Sequence, residues 1–263
     1  MNLPKDLQEV EIASTLDGAR EKCLVYCPPD PGPVPLLVGL HSWSFDRHNQ
    51  IEAMLPRCRK RRWALVLPEF RGPNRADNPR ARQACASLVA RQDIVDAVDF
   101  ALKARPVDPQ RVFLLGGSGG GHMAMMMAAY APQRFAGISA WVGITDLIAW
   151  HGENLNYAPH VEACCGGAPG ASPEVDEEYR QRSPLSHVAE MATATLYVHH
   201  GRYDQSVRYN HSWQLAQQLE QHGAGRFYCE IFDGGHEIRY DVALAWFEAL
   251  ASSAPAAAPP VTG

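Results

Sequence analysis

The sequence lacks several patterns that would assign a protein to a class at once. It has no run of about 18 consecutive apolar residues, which excludes a simple membrane-spanning helix. Its first residues, Met1-Asn2-Leu3-Pro4-Lys5-Asp6, contain no apolar core, so no signal peptide is expected. The formal net charge of −5 gives no excess of positive charge for nucleic acid or an anionic membrane. We therefore expect no nucleic acid and no membrane as a partner.

Common metal-binding motifs are absent as well. The seven cysteines include no C-x-x-C pair, and no H-E-x-x-H motif occurs, so no metal site is expected. An odd number of cysteines does not suit a disulfide framework. Mostly reduced thiols are typical of a reducing compartment, which favours a cytoplasmic location.

The sequence does contain an alternation of short apolar runs with segments of helical periodicity. Residues 36–40, 64–67 and 111–115 have the pattern of strands buried on both faces of a sheet. Residues 93–104 carry apolar side chains at helical spacing. This alternation predicts an α/β fold with a mostly parallel central sheet and helices on both faces, in a single domain over residues 1–250.

Two segments depart from the alternation. Residues 149–190 are longer than an ordinary connection and contain several Gly and Pro turn signals. We interpret them as a partly helical insertion over the functional site. Residues 251–263 are rich in alanine and proline and are expected to form a loose C-terminal tail.

Residues 116–120 read Gly-Gly-Ser-Gly-Gly and stand between a strand pattern and a helical segment. A serine between glycines at a strand-to-helix turn matches the G-x-S-x-G pattern of a nucleophile elbow. The turn is so sharp that there is little room for side chains beside the serine. We identify Ser118 as the candidate nucleophile, at the carboxyl edge of the sheet where parallel α/β folds bind ligands.

A serine nucleophile needs a base, and the base needs an acid that orients it. In folds with this elbow, the chain order is serine, acid, histidine. Asp204 follows the strand pattern at residues 195–199, and His236 follows the one at residues 227–232. Both are therefore expected at the same sheet edge as Ser118. We predict that His236 accepts the serine proton and that Asp204 holds the tautomer of His236.

Two other residues compete for these roles. Asp146 follows an earlier strand pattern and is the alternative to Asp204 as the acid. His122 lies one turn beyond Ser118, where packing explains a histidine better than base catalysis does.

The tetrahedral intermediate of acyl transfer requires backbone N–H donors. One donor is expected from the residue after the nucleophile, Gly119, and another from the loop after an early strand, where His41-Ser42-Trp43 stands. We assign the second donor to Trp43, with Ser42 as the alternative. The side chains of Trp43 and Trp150 are also candidates for lining the substrate pocket, although core packing explains either tryptophan equally well.

Several short motifs complete a recognisable set. They are Leu40-His41-Ser42-Trp43, Phe70-Arg71-Gly72, Arg182-Ser183-Pro184, His200-Gly201 leading to Asp204, and Gly234-Gly235-His236. With the elbow, this set resembles the prolyl-oligopeptidase catalytic domain and the related single-domain esterases of the α/β-hydrolase superfamily. The resemblance extends over roughly residues 10–250.

The resemblance implies hydrolysis of an acyl bond, ester or peptide, through an acyl-enzyme intermediate and without a cofactor. At 263 residues, the sequence has no room for the N-terminal propeller of the oligopeptidases, so we expect a small carboxylic ester as substrate. A short peptide is the alternative substrate, and a catalytically silent binding protein is the third hypothesis. The stretch His41-Ser42-Trp43 departs from the His-Gly-Gly of many relatives, which leaves the second oxyanion donor open. No sequence pattern indicates the oligomeric state, which stays open.

Overall fold

One mixed sheet forms the centre of the computed structural model, which describes residues 3–29 and 32–253. Its strands are Gln8–Ala13 (β1), Arg20–Tyr26 (β2), Val34–Leu40 (β3), Ala64–Pro68 (β4), Val107–Gly117 (β5), Gly137–Trp141 (β6), Leu196–Gly201 (β7) and Phe227–Phe232 (β8). Their order across the sheet is β1-β2-β4-β3-β5-β6-β7-β8. Strands β3 to β8 are parallel, whereas β2 is antiparallel to both β1 and β4. The mostly parallel α/β sheet predicted from the sequence is therefore confirmed.

The α-helices within the described residues cover both faces of this sheet. They are Ile51–Arg61 (α1), Leu88–Ala104 (α2), Gly119–Tyr130 (α3), Leu147–Glu153 (α4), Ala158–Cys165 (α5), Pro173–Gln181 (α6), Val188–Met191 (α7), Asn210–Gln221 (α8) and Tyr240–Ser253 (α9). Helices α2, α3, α7 and α8 contribute to the core on one face, and α1 and α9 contribute to the core on the other. Short 3₁₀ turns lie at Ala81–Gln83, Pro132–Arg134 and Pro184–His187.

The burial of β3 explains why its sequence is apolar without alternation. Successive side chains of a strand point to opposite faces, and both faces of this sheet are covered. Leu36, Val38 and Leu40 accordingly lie in the core beneath α2 and α3, and Leu37 lies in the core beneath α1 and α9. Each fully buried leucine contributes about 1.5–3 kcal/mol to the free energy of unfolding.

The parallel strands place the loops of interest at one edge of the sheet. Ser118 follows β5, Asp204 follows β7 and His236 follows β8, while the stretch from His41 to Trp43 follows β3. Because β3, β5, β7 and β8 run in the same direction, their carboxyl ends meet at this edge. The sheet alone therefore brings together side chains that are far apart in the sequence.

The proposed insertion at residues 149–190 contains most of α4, all of α5 and α6, and most of α7. The helical part begins earlier than expected, at Leu147, because Asp146 caps the first turn of α4. Trp150, Val161 and Tyr179 from these helices form a separate apolar cluster. The same cluster contains Trp43, so the helical segment packs on the loop that follows β3.

The boundary predicted for the C-terminal tail is wrong at its start. Residues 251–253 form the last turn of α9, and Ala251 packs with Leu250 against the core beneath α1 and α9. Alanine favours the helix, so a composition rich in alanine does not by itself mark a loose segment. The rest of the predicted tail, residues 254–263, lies outside the described residues.

Three further features concern membranes, metals and thiols. None of the helices in the described chain is both long and apolar enough to cross a bilayer. Over residues 3–29 and 32–253, no group of His, Cys, Asp and Glu side chains is arranged to hold a metal ion. All seven cysteines lie in these ranges, and none forms a disulfide.

Candidate active site

Ser118 stands in a strained backbone conformation between β5 and α3. Its φ is 56° and its ψ is −119°, a region that residues with a side chain rarely adopt. Such a conformation costs about 1–3 kcal/mol and persists only where the surrounding structure enforces it. Here the Ser118 N–H donates to the Trp141 carbonyl at 2.9 Å, and the Ser118 carbonyl accepts the His122 N–H at 2.9 Å.

The glycines beside the serine are required by the sharpness of this turn. A Cβ atom on Gly116 would lie 2.1 Å from the carbonyl oxygen of Gly120, which is closer than real Cβ contacts. The first turn of α3 can therefore fold back against the end of β5 only if residue 116 has no side chain. This is the close approach that the sequence pattern predicts for a nucleophile elbow.

Asp204 and His236 form a direct hydrogen bond. His236 Nδ1 donates to Asp204 Oδ2 at 2.7 Å. The other carboxylate oxygen, Oδ1, accepts the backbone N–H groups of Ser206 at 2.8 Å and Val207 at 3.0 Å. Asp204 is buried and His236 is exposed. The carboxylate is thus fixed by its own loop, and Nε2 of His236 is the nitrogen left for proton transfer.

The surroundings of Asp204 keep it ionised. Burial by itself would raise the pKa of this carboxyl group. Hydrogen bonds from His200 and His236 and from the Val207 N–H act in the opposite direction and hold the pKa well below its ordinary value. Asp204 therefore remains an anion over the pH range in which hydrolases are assayed, as an acid that stabilises an imidazolium must.

The loops that carry Asp204, His236 and Ser118 contact one another. The N–H of Arg202 donates to the Phe232 carbonyl, and the N–H of Tyr203 donates to the Gly234 carbonyl, both at 2.9 Å. On the other side, Ile238 fills the space beside Gly117, where a Cβ atom would lie 2.2 Å from the Ile238 Cδ1. The loop between β8 and α9, which carries His236 and is called the histidine loop below, therefore packs on the turn that carries Ser118.

Asp146, the alternative acid, hydrogen-bonds to the backbone of the helix that follows it. Its Oδ1 accepts the backbone N–H groups of Ile148 at 2.9 Å and Ala149 at 3.1 Å. These contacts make it the N-terminal cap of α4. The geometry thus joins Asp204, and not Asp146, to His236.

The loop after β3 carries the two candidates for the second backbone N–H of an oxyanion site, Ser42 and Trp43. The Ser42 N–H already donates to Asn49 Oδ1 at 2.9 Å, so it is occupied. The Trp43 nitrogen lies 2.4 Å from the point where a Cβ of Gly119 would stand, which places these two backbone segments side by side. Gly119 opens α3, where the first N–H groups have no acceptor within the helix. The arrangement favours Trp43 over Ser42 as the partner of Gly119.

Gly119→Ala is expected to lower kcat by about 10²–10³-fold, the usual effect of losing an oxyanion donor. The new methyl group would collide with the Trp43 backbone and separate the two N–H groups. Steady-state kinetics with a short-chain nitrophenyl ester would measure the loss. Gly225→Ala is the matched control because its Cβ would meet no atom within 4 Å. A folded Gly119→Ala variant with unchanged kcat would contradict the assignment.

The two tryptophans proposed to line the pocket are buried. The rings of Trp43 and Trp150 pack edge to face with centroids 4.6 Å apart, and Trp150 Nε1 donates to the Ser206 carbonyl at 3.0 Å. The partly exposed ring of Tyr157 packs 5.0 Å from that of Trp150. A substrate-lining role for the two tryptophans remains a prediction. Tyr157, which the sequence pattern does not single out, is more exposed than either tryptophan.

Two other histidines near the site are neutral and packed. His122 Nε2 donates to the Arg182 carbonyl at 2.6 Å, and burial lowers the pKa of His122 to about 4. The ring of His199 stacks on that of Trp141 with centroids 3.8 Å apart, and burial lowers the pKa of His199 to about 3. Neither ring contacts Asp204 as His236 does, because the carboxylate that lies 3.1 Å from His199 Nδ1 is that of Glu230.

Two arginines from the motif set anchor loops. Arg71 is buried and pairs with Asp17 at 2.7 Å and Asp93 at 2.6 Å. Arg182 is buried and donates to the Ala84 carbonyl at 2.7 Å. Buried arginines need partners of this kind, because an uncompensated charge in the interior is strongly destabilising.

Known proteins resemble this chain in both sequence and fold. A sequence profile of the prolyl oligopeptidase family matches residues 87–251, more than half of the chain. An acylamino-acid-releasing enzyme of Arabidopsis thaliana is 31% identical over 160 residues, covering 54% of this chain and 20% of the relative. An uncharacterized peptidase, YtmA, of Bacillus subtilis is 30% identical over 131 residues, covering 50% of this chain and 49% of the relative. The chain thus spans about a fifth of the first relative and about half of the second.

A solved structure supports the same fold. An acylaminoacyl peptidase in complex with Z-Gly-Gly-Phe-chloromethyl ketone matches with a TM-score of 0.72 and 19% identity. The match covers 92% of this chain and 41% of that chain. At this identity the likeness concerns the fold alone, and it confirms the α/β-hydrolase fold that the motifs imply.

Proposed function

Because the chain belongs to the prolyl oligopeptidase family of serine hydrolases, we propose that it hydrolyses an acyl bond through a covalent acyl-enzyme intermediate. The observation that carries the proposal is the 2.7 Å hydrogen bond between His236 and Asp204 at the sheet edge where Ser118 stands. This arrangement supplies a nucleophile, a base and an acid in the chain order of the fold. It also argues against the third hypothesis, a catalytically silent binding protein.

The proposed reaction proceeds in two halves. His236 Nε2 takes the proton from Ser118 Oγ, which attacks the acyl carbon and forms a tetrahedral intermediate. The N–H groups of Gly119 and Trp43 bind the oxyanion. The intermediate collapses, the bond to the leaving group breaks, and His236 returns its proton to that group. A water molecule then attacks the acyl-enzyme by the same route and releases the carboxylic acid and Ser118. Asp204 stabilises the imidazolium in both halves.

For the substrate, we place the amide bond of a short or N-acylated peptide ahead of a carboxylic ester. The expectation from the sequence motifs is the ester. The family match and the peptidases among the relatives shift the preference to the amide. Esters remain the second candidate, since the same triad cleaves the more reactive ester bond without additional groups.

Matched substrates would separate these possibilities. An N-acetylated aminoacyl nitroanilide and the nitrophenyl ester of the same acyl group differ only in the bond that is cleaved. We expect turnover of both compounds by the wild-type protein. Turnover of the ester alone would favour the esterase. If neither is cleaved and a fluorophosphonate does not label Ser118, the protein is a silent binding protein and the proposal is wrong.

A further inference from the structure

A second histidine lies behind the carboxylate of Asp204. His200, in β7, is fully buried. Its Nε2 is 2.9 Å from the Val207 carbonyl oxygen and 3.3 Å from Asp204 Oδ2, and its Nδ1 is 2.7 Å from Ser212 Oγ. This ring lies four residues before Asp204 in the chain and takes no part in the proposed proton transfers.

The contacts determine which nitrogen of His200 carries hydrogen. The two oxygen atoms near Nε2, from Val207 and Asp204, are acceptors only, so Nε2 must be the donor. Nδ1 of the neutral ring is then an acceptor, and the hydroxyl of Ser212 donates to it. The tautomer of His200 is thus fixed from both sides, with an N–H directed at the loop that holds the catalytic acid.

We propose that His200 is a positioning residue that orients the Asp204 carboxylate toward His236 and limits the negative charge that His236 experiences. The inference rests on the proposed function, because it assigns a task within the same triad. Val207 links the two parts, since its carbonyl accepts from His200 while its N–H donates to Asp204 Oδ1. Through Val207, the ring of His200 is therefore connected to the loop that carries Asp204.

The electrostatic part of this role follows from the sharing of one oxygen atom. Oδ2 of Asp204 receives the Nδ1–H of His236 and faces the Nε2–H of His200. A second N–H group, 3.3 Å from the same oxygen, withdraws negative charge from the bond to His236. The His236 imidazolium is consequently less stabilised than it would be by a carboxylate that served His236 alone.

Other charged and titratable groups surround this cluster. Glu153, Arg202 and Arg208 line a polar pocket of about 360 Å³ together with Asp204. The buried ring of His211 on α8 is held by Thr145 and Glu153, and the histidine loop carries Asp233, Glu237 and Arg239. All except His211 are exposed, so water and salt screen their charges more strongly than the contact from His200.

Two substitutions separate a positioning role from simple packing. His200→Leu fills part of the volume and removes the donor, whereas His200→Gln can present an amide N–H near the position of Nε2. In His200→Leu we expect kcat to fall about 10–100-fold with little change in KM, as for the loss of a hydrogen bond to a charged group. We also expect the acid limb of kcat/KM to move to higher pH. His200→Gln should recover most of kcat and return the acid limb toward the wild-type position.

An NMR titration of the His236 ring tests the inference without turnover, and so separates it from the proposed function. The titration midpoint should rise in His200→Leu and return in His200→Gln. A wild-type midpoint in folded His200→Leu, or equal defects in the two variants, would overturn the positioning role. If His200→Leu does not fold, Ser212→Ala, which releases the ring at Nδ1, takes its place. It should raise the midpoint by a smaller amount, and an unchanged midpoint would overturn the inference.

Discussion

Ser118→Ala is expected to lower kcat by roughly 10⁶-fold if the triad acts as a unit, and to leave only the residual catalysis that substrate binding and the proposed oxyanion donors supply. The backbone at residue 118 is strained by its φ of 56°. Alanine pays nearly the same conformational cost as serine, so the variant should fold and differ only in the missing hydroxyl. Turnover of a short-chain nitrophenyl ester, with fluorophosphonate labelling followed by peptide mapping, would measure the effect.

The matched control for this experiment is Ser186→Ala. Ser186 is exposed in the turn Pro184–His187, away from the elbow in the chain. It should retain the wild-type rate and the wild-type labelling at Ser118. Wild-type turnover in Ser118→Ala would show that another residue is the nucleophile, and the triad proposed here would have to be abandoned.

Asp204→Asn should lower kcat at neutral pH by about 10⁴-fold, with a smaller effect on stability. The amide oxygen can still accept the N–H groups of Ser206 and Val207. The amide nitrogen would then face the Nδ1–H of His236, so two donors would oppose each other. The ring would turn or change tautomer, and Nε2 would no longer accept the serine proton.

Asp146→Asn tests the other candidate for the acid of the triad. Asparagine caps a helix about as well as aspartate does, so α4 should persist in this variant. We expect activity within about twofold of wild type, because substitutions outside the reacting groups usually have small effects. Rates and thermal unfolding curves for the two variants would decide between the acids. A severe loss in Asp146→Asn with normal activity in Asp204→Asn would reverse the assignment.

The placement of Ser118, Asp204 and His236 at one sheet edge can be predicted from the sequence more fully than the contacts that support these residues. Ser118 is marked by local glycines, and Asp204 and His236 follow strand patterns whose parallel arrangement places them at one edge. These signals are local, and the topology of a parallel sheet then places the three loops at the same edge. The backbone conformation of Ser118 and the hydrogen bond from His236 to Asp204 are what such an arrangement requires.

The remaining features depend on contacts between distant residues that no local pattern indicates. Asn49 distinguishes Ser42 from Trp43 as the candidate oxyanion donor, because its side chain accepts the Ser42 N–H. The role inferred for His200 depends on Ser212, which α8 brings to the ring from the next segment of the fold. The burial of Trp150 likewise follows from its packing in the cluster between the helices and the loop after β3.

The position of β8 in the sheet has a consequence for the durability of the site. In the described sheet, β8 is an edge strand bonded only to β7, whereas β5 lies between β3 and β6. Ser118 therefore follows a strand in the interior of the sheet, whereas His236 follows a strand that is hydrogen-bonded on one side only. Edge segments open locally at a lower free energy than central strands. Detachment of β8 alone would withdraw His236 while Ser118, Gly119 and Trp43 kept their places, so we expect the proposed activity to be lost before the rest of the fold opens.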